Sequence, residues 1–208
     1  MARRIAIVIG HNSKAPGAIR VSDGVSEYVW NSRLADEIQN LNPTTVRVFR
    51  RKPNPSYTAE IRLVYAEVDA WSAEVSCELH FNAFTAASTG TETLYATSAG
   101  KKVAMAVQAQ MVSALGLKDR GLVHRASGRG SESLLAGKAP AILVEPYFGS
   151  NPTDCARADE NFVTLARAIY AGLGGGPAIG SMPRPPVAAR QSSAAGGAAR
   201  STPLSAHG

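Results

Sequence analysis

Apolar strands alternate with amphipathic helices along the first 173 residues, and this alternation constrains the fold more than any other feature of the chain. Residues 3–10 are apolar through their centre, as expected of a strand buried in a parallel sheet. Residues 27–41 carry Trp30, Leu34 and Ile38 at helical spacing behind Ser26, a favourable N-cap. Because such alternation is typical of α/β proteins, we predict a single α/β domain. Its sheet should be mostly parallel and twisted, with about six strands and with helices on both faces.

The same periodicities place the other elements. Short apolar and β-branched runs predict strands, and longer stretches with one apolar face predict helices. The predicted strands are residues 3–10, 45–50, 75–82, 91–97, 122–126 and 141–148. The predicted helices are residues 27–41, 57–72, 101–117 and 155–173, with a short helix or turn at residues 133–136. Thr153 or Asp154 is the expected cap of the last helix.

The composition changes after Gly176. Residues 177–208 consist largely of Pro, Ala, Gly, Ser and Arg, and they contain no acidic residue. Such a segment cannot bury enough apolar surface to fold. We therefore predict a folded domain at residues 1–176 and a low-complexity, disordered basic tail at residues 177–208. The tail would be either a flexible arm that contacts an anionic cell envelope or an inert end.

Charge and hydropathy argue against two classes of partner. The net charge is +6, but no dense run of Lys and Arg interleaved with aromatic residues occurs, so we expect no nucleic-acid binding. No run of 18 apolar residues occurs, so we expect no stable membrane insertion.

The first apolar run is shorter than the roughly 7–15 residues of a signal-peptide core, so we expect synthesis in the cytoplasm without an export signal. Cys77 and Cys155 lie far apart, and we expect two free thiols.

Polar side chains stand where predicted strands end and a predicted helix begins. His11 follows the first strand, Glu27 opens the first helix, and His80 lies near the end of the third strand with Asn82 two residues further on. Two imidazoles and one carboxylate are a recurrent ligand set of catalytic zinc, and this set leaves one position open for water. Glu145 lies near the end of the most apolar strand, where a buried carboxylate is costly unless it is paired or used. Beside a metal-bound water, such a carboxylate can act as general base and then as general acid.

Each of these residues also has an ordinary structural explanation. His11 could form a hydrogen bond within its own loop, and Glu27 could simply favour the helix dipole. Glu145 could be half of an ion pair with Arg50 or Arg62. The prediction of a metal site therefore depends on the four side chains meeting at one edge of the sheet.

Several stretches of the chain resemble the zinc-dependent N-acetylmuramoyl-L-alanine amidases of the amidase-3 type. The resemblance covers about residues 3–173. Its most specific parts are His80-Phe81-Asn82-Ala83 and residues 140–152, which run from Pro140 through Glu145 to Pro152. The other matching stretches are residues 5–11, 26–31 and 90–95. The family usually has His-Gly-Gly after the first strand, whereas here His11 is followed by Asn12-Ser13-Lys14.

The resemblance implies roles for the candidate residues. It implies that residues 1–176 are an amidase catalytic domain in which His11, Glu27 and His80 bind Zn²⁺ and Glu145 is catalytic. The implied reaction cleaves peptidoglycan at the amide between the lactyl group of N-acetylmuramic acid and the L-alanine of the stem peptide. Asn82 would orient His80, bind substrate, or only stabilise its own turn.

The expected absence of an export signal favours a phage-type endolysin. Such an enzyme would be made in the cytoplasm, would be released through a holin-type pore, and would act on the cell wall as a monomer that lyses the host. Two alternatives stay open at this point. One is a zinc peptidase that acts on stem peptides, and the other is a non-catalytic cell-wall-binding domain on the same fold.

Overall fold

The computed structural model describes residues 3–177, which form six strands and six helices. The strands are short and mostly buried, and the helices connect them across both faces of one sheet. The strands are β1 (Ile5–Ile9), β2 (Val46–Arg50), β3 (Val75–Leu79), β4 (Thr91–Tyr95), β5 (Asp119–His124) and β6 (Ala141–Glu145). The helices are α1 (Glu27–Leu41), α2 (Tyr57–Ala70), α3 (Ser98–Leu115), α4 (Ser131–Ala136), α5 (Pro152–Glu160) and α6 (Phe162–Gly172).

The six strands lie in the order β2-β1-β3-β6-β4-β5. β1 pairs in parallel with β2 and β3, and β3 pairs in parallel with β6. β4 runs antiparallel to β6, while β5 runs parallel to β4. The prediction of a mostly parallel sheet of about six strands is confirmed, and the exception is the β4–β6 pair. One result is that Glu92 lies directly opposite Glu145.

Helices cover both faces of the sheet, as predicted. On one face, α1, α3 and α6 pack around a core that includes Trp30, Met111 and Ile169. On the other face, α2 packs on β1 and β2 through residues such as Ile61 and Tyr65, and α4 lies against α2. All residues of β1 and β3 are buried. This explains why β1 is apolar throughout, whereas β3 also buries Ser76 and Glu78.

Two predicted boundaries are wrong in an informative way. The predicted helix at residues 155–173 is two helices, because Asn161 leaves helical geometry with φ −110° and ψ 21°. The side-chain Nδ2 of Asn161 also donates to the Arg157 carbonyl oxygen at the end of α5. The cap of α5 is Asn151 rather than Thr153 or Asp154, since its side chain accepts hydrogen bonds from both of those backbone N–H groups.

Other sequence-based expectations can be compared with residues 3–177. Cys77 and Cys155 are free and buried, as predicted. None of the described helices has the length and hydropathy that a membrane-spanning helix needs. The predicted tail at residues 177–208 lies, apart from its first residue, outside the described part of the chain.

Candidate active site

Two histidines meet beyond the ends of β1 and β3. His11 follows β1 with a left-handed φ of 66°, and His80 follows β3, where its N–H donates to the Val144 carbonyl oxygen and prolongs the parallel pairing. The two imidazole rings lie edge to face with centroids 5.0 Å apart. The site therefore forms at the carboxyl edge of the sheet, where ligands bind in open α/β folds.

Two glycines make room for the imidazoles. A Cβ at Gly10 would lie 2.4 Å from the His80 ring and 2.6 Å from the Leu79 carbonyl oxygen. A Cβ at Gly17 would lie 2.7 Å from both the His11 ring and Glu27 Oε2, and Gly17 also has a φ of +79°. Any larger residue would displace the functional side chains, so these positions require glycine.

Glu27 lies between the two histidines. It is the first residue of α1, and the N-cap Ser26 holds it there through a bond from the Val29 N–H. Glu27 Oε1 is 2.7 Å from His80 Nδ1, and Oε2 is 3.2 Å from His11 Nε2. Burial disfavours the carboxylate, but the two histidines outweigh burial and lower the pKa of Glu27.

These three side chains fit a divalent metal. Their ligand atoms lie within 4.8 Å of one another, and tetrahedral zinc with bonds of about 2.0–2.1 Å brings ligand atoms to about 3.4 Å. The nitrogen–oxygen donor set is also one that zinc accepts. Burial disfavours the imidazolium of His80, but its hydrogen bonds to Glu27 and Glu78 outweigh burial and raise the pKa of His80 to about 10.

Glu145 closes the other side of the site at the end of β6. Among the described residues, its buried Oε2 atom has no hydrogen-bond partner. Burial, together with the nearby carboxylates of Glu27 and Glu92, outweighs His80 and raises the pKa of Glu145 to about 8. The alternative of a structural ion pair is wrong, because Arg50 pairs with Asp36 at 2.6 Å and neither Arg50 nor Arg62 contacts Glu145 within residues 3–177.

Asn82 lies on the wall of the same cleft, but it does not orient His80. Its Nδ2 donates to Glu92 Oε1 at 2.9 Å, and its Oδ1 accepts from the Ala83 N–H. The two ring nitrogens of His80 face Glu27 and Glu78 instead. Of the roles predicted for Asn82, turn stabilisation is visible in these bonds, and substrate binding stays a prediction.

The cleft has a volume of about 340 Å³. It contains all five residues singled out in the sequence, which are His11, Glu27, His80, Asn82 and Glu145. The structure thus brings together every candidate residue, while their chemical roles stay predictions. Exposed side chains of Tyr57, Arg125 and Arg129 also line the cleft.

The sequence-based prediction missed two carboxylates at this site. Glu92 lies beside Glu145 in the sheet and is held by Asn82 and by Arg120 Nε at 2.7 Å. Glu78 is fully buried and lies 2.8 Å from His80 Nε2. A signal for Glu78 was present, because a charged residue in the centre of an otherwise buried strand needs a partner or a function.

The family model described as N-acetylmuramoyl-L-alanine amidase, of the amidase-3 type, matches residues 5–174. No curated protein matches the chain in sequence.

Solved structures share the fold. The catalytic domain of CwlV, an N-acetylmuramoyl-L-alanine amidase from Bacillus (Paenibacillus) polymyxa var. colistinus, is 26% identical with a TM-score of 0.69, over 82% of this chain and 96% of that one. The catalytic domain of the CD27L endolysin, which targets Clostridia difficile, is 24% identical with a TM-score of 0.72 over the same shares of the two chains. The amidase Ami1 from Mycobacterium smegmatis is 18% identical with a TM-score of 0.66, over 87% of this chain and 99% of that one.

The family match covers the whole sheet and every residue of the cleft discussed above. It favours amide hydrolysis in peptidoglycan over the two alternatives that the sequence left open. The chain belongs to the N-acetylmuramoyl-L-alanine amidase family.

Proposed function

We propose that this amidase is zinc-dependent and cleaves the amide between the lactyl group of N-acetylmuramic acid and the L-alanine of the stem peptide. The observation that carries the proposal is the convergence of His11, Glu27 and His80 within 4.8 Å, beside a buried Glu145 oxygen that has no partner among the described residues. His11 Nε2, one oxygen of Glu27 and His80 Nδ1 would hold the metal. Zinc would supply a Lewis acid that polarises the amide carbonyl and makes water nucleophilic near neutral pH.

Glu145 is the proposed proton carrier. Its raised pKa, about 8, lies close to physiological pH, so Oε2 can both accept and return a proton there. Oε2 would take the proton from the attacking water and deliver it to the nitrogen of the leaving L-alanine. The absence of a competing hydrogen bond within residues 3–177 leaves this oxygen available for both transfers.

The walls of the cleft suit a peptide that carries carboxylates. Arg125 and Arg129 line it from the segment after β5, and Asn82 faces it from the loop after β3. One hydrogen of the Asn82 amide is used by Glu92, and the other would donate to a substrate carbonyl. The guanidinium groups would bind stem-peptide carboxylates, since arginine matches that planar group well.

The reaction can be tested by mass spectrometry of purified sacculi digested with the full-length protein. We expect intact stem peptides that begin with a free L-alanine, together with glycan chains that carry free lactyl groups. Treatment with a chelator should abolish both products, and added zinc should restore them. Products cut within the stem peptide would instead indicate a peptidase, and undiminished cleavage with the chelator would contradict zinc dependence.

We further propose that the enzyme acts as a monomeric phage-type endolysin, made in the cytoplasm and admitted to the wall by a holin-type pore. The support is the shared fold with an endolysin catalytic domain, which this chain spans almost completely. Expression in a bacterial host should leave cells intact until a holin is co-expressed, after which turbidity should fall rapidly. Lysis at the same rate without the pore would contradict this role.

A further inference from the structure

Glu78 makes a set of buried contacts that the proposed catalysis does not use. Its Oε1 accepts from Arg51 Nη2 and lies 2.8 Å from His80 Nε2, and its Oε2 accepts from Tyr65 Oη at 3.0 Å. These partners hold both carboxylate oxygens in place. Glu78 is therefore a fixed hydrogen-bond acceptor beside the proposed metal site.

Glu78 is not placed to be a fourth metal ligand. The ligand atoms of the proposed zinc site are His11 Nε2, a Glu27 oxygen and His80 Nδ1. Glu78 contacts the other nitrogen of His80, and both of its oxygens are engaged by partners that lie deep in the protein. It therefore acts on the site through the imidazole rather than directly.

A neutral imidazole carries its proton on one nitrogen only, and the other nitrogen is free to bind a metal. Glu27 and Glu78 lie on opposite sides of the His80 ring, at Nδ1 and Nε2 respectively. A carboxylate that accepts from the outer nitrogen fixes both the tautomer and the ring orientation of a metal-binding histidine. We propose that Glu78 is a positioning residue that keeps the proton of His80 on Nε2 and so presents Nδ1 to zinc, an inference that rests on the proposed zinc site.

The same network reaches the segment that carries His11. Arg51 Nη1 lies 3.8 Å from Glu60 Oε1, and Glu60 Oε2 accepts from Asn12 Nδ2 at 2.8 Å. The Asn12 Oδ1 accepts from the backbone N–H groups of Lys14 and Ala15 and so holds the turn after His11. One buried chain of contacts thus supports both proposed histidine ligands.

The charges in this network also favour a cation at the site. The carboxylates of Glu27, Glu60 and Glu78 are all nearly inaccessible to solvent, and Arg51 is the buried cation that lies between the last two. Even when a protonated His80 is counted with Arg51, two cationic groups face three carboxylates, and an unbalanced buried charge is costly. A divalent cation at Nδ1 of His80 would supply the missing positive charge.

The test measures zinc rather than amidase activity. The variants are Glu78→Gln, which keeps an acceptor for Nε2–H but removes the charge, and Glu78→Leu, which removes both. Zinc dissociation constants of the full-length proteins are measured by competition with a chromophoric chelator. Loss of such a supporting carboxylate typically weakens metal binding about 10–100-fold, so we expect this loss for Glu78→Leu and a smaller one for Glu78→Gln.

Asp154→Asn is the matched control. Asp154 is an equally buried carboxylate that accepts from Thr89 Oγ1 and from the N–H groups of Gly90 and Phe148. Because none of these partners is a proposed ligand, Asp154→Asn should bind zinc as the unmodified protein does. Circular dichroism identifies any variant that has lost its fold, and Glu78→Gln, which is nearly isosteric, keeps the test valid if Glu78→Leu does not fold.

A second readout locates the proton. In the zinc-loaded protein labelled with ¹⁵N-histidine, NMR should show His80 with zinc on Nδ1 and a slowly exchanging proton on Nε2, and that proton should exchange faster in Glu78→Gln. Zinc on Nε2 of His80, or zinc affinities of both Glu78 variants within about twofold of the unmodified protein, would overturn the inference while leaving zinc dependence intact. If the unmodified protein itself bound no zinc, the proposed function and this inference would both fail.

Discussion

The pKa values of buried carboxylates are shifted in opposite directions on the two sides of the cleft. On the side of β1 and β3, Glu27 and Glu78 are surrounded by histidine and arginine, and their pKa values are lowered. On the side of β4 and β6, Glu145 lies next to another carboxylate, Glu92, and its pKa is raised to about 8. Burial alone therefore does not decide the ionisation of a carboxylate, because the partners decide it.

This difference divides the cleft into two halves that suit the two separate roles proposed for them. The paired half has fixed charges, which suits residues that hold a metal in a constant geometry. The unpaired half has a carboxylate that is close to its titration point, which suits proton transfer.

His80→Ala should abolish both zinc binding and activity, because the paired half loses a ligand. Zinc content after dialysis should fall from one equivalent to nearly none, and release of dyed peptidoglycan fragments should fall to background. His124→Ala is the matched control, since His124 is exposed and bonds only to the Ala96 carbonyl oxygen among the contacts described. A full equivalent of zinc in His80→Ala would remove this residue from the ligand set.

Glu145→Gln should impair turnover without impairing zinc binding, because Glu145 lies in the half of the cleft that is proposed to transfer protons. We expect one equivalent of zinc to remain and kcat to fall by roughly 10²–10⁴-fold, the usual contribution of a general acid–base group. Glu160→Gln, a change in an exposed carboxylate that lies 4.0 Å from Arg157, should alter neither quantity. Normal turnover by Glu145→Gln would show that another group carries the proton.

Glu145 should also make the zinc-free protein less stable at alkaline pH. Its folded pKa, about 8, lies above its ordinary value of 4.5, so the fold favours the neutral acid. The contribution to stability is complete below about pH 4.5 and is lost as the pH rises through about 8. Each unit of pKa shift is worth about 1.4 kcal/mol, so Glu145→Gln should raise the unfolding free energy at pH 9 by at most a few kcal/mol.

The direction of this pH dependence can be checked by urea denaturation at pH 5 and pH 9, with both the unmodified protein and Glu145→Gln freed of zinc by a chelator. The gain from Glu145→Gln should be present at pH 9 and nearly absent at pH 5. A gain of equal size at both pH values would indicate a packing effect rather than an ionisation.

Glu92→Gln should have the smallest effect. Removal of the neighbouring negative charge lowers the pKa of Glu145, so the acidic limb of the kcat/KM profile should move to lower pH by less than about one unit. The bond from Asn82 can persist, because a glutamine oxygen also accepts. A limb that stayed in place would mean that the charge of Glu92 does not influence Glu145, and a limb that moved to higher pH would contradict the direction expected here.

Much of this molecule could be predicted because its signals are local. Strand and helix periodicity predicts the alternation of elements, and α1 begins and ends at the predicted residues 27 and 41. The carboxyl ends of parallel strands meet at one edge, so His11 and His80 could be placed together without knowledge of the strand order. Glu145 could be identified as a candidate functional residue because a carboxylate in an apolar strand is costly to bury.

The missed features depend on pairings between distant parts of the chain. Nothing within β4 indicates that it runs antiparallel to β6, so the position of Glu92 opposite Glu145 could not be predicted. Glu78 was visible as a charge in a buried strand, but its partner Arg51 lies 27 residues earlier. The Arg51–Glu78 pair can be recognised only when β2, which precedes Arg51, and β3, which contains Glu78, are placed in the same sheet.

The position of β6 has a consequence for the order in which the enzyme is made. β6 is the last strand within residues 3–177, yet it lies in the interior of the sheet between β3 and β4. During synthesis, the earlier strands leave the ribosome before the strand that joins the two parts of the sheet. Glu145, the proposed proton carrier at the end of β6, reaches the three proposed metal ligands only when that strand is inserted. Peptidoglycan cleavage therefore cannot begin on a nascent chain until nearly the entire domain has been translated.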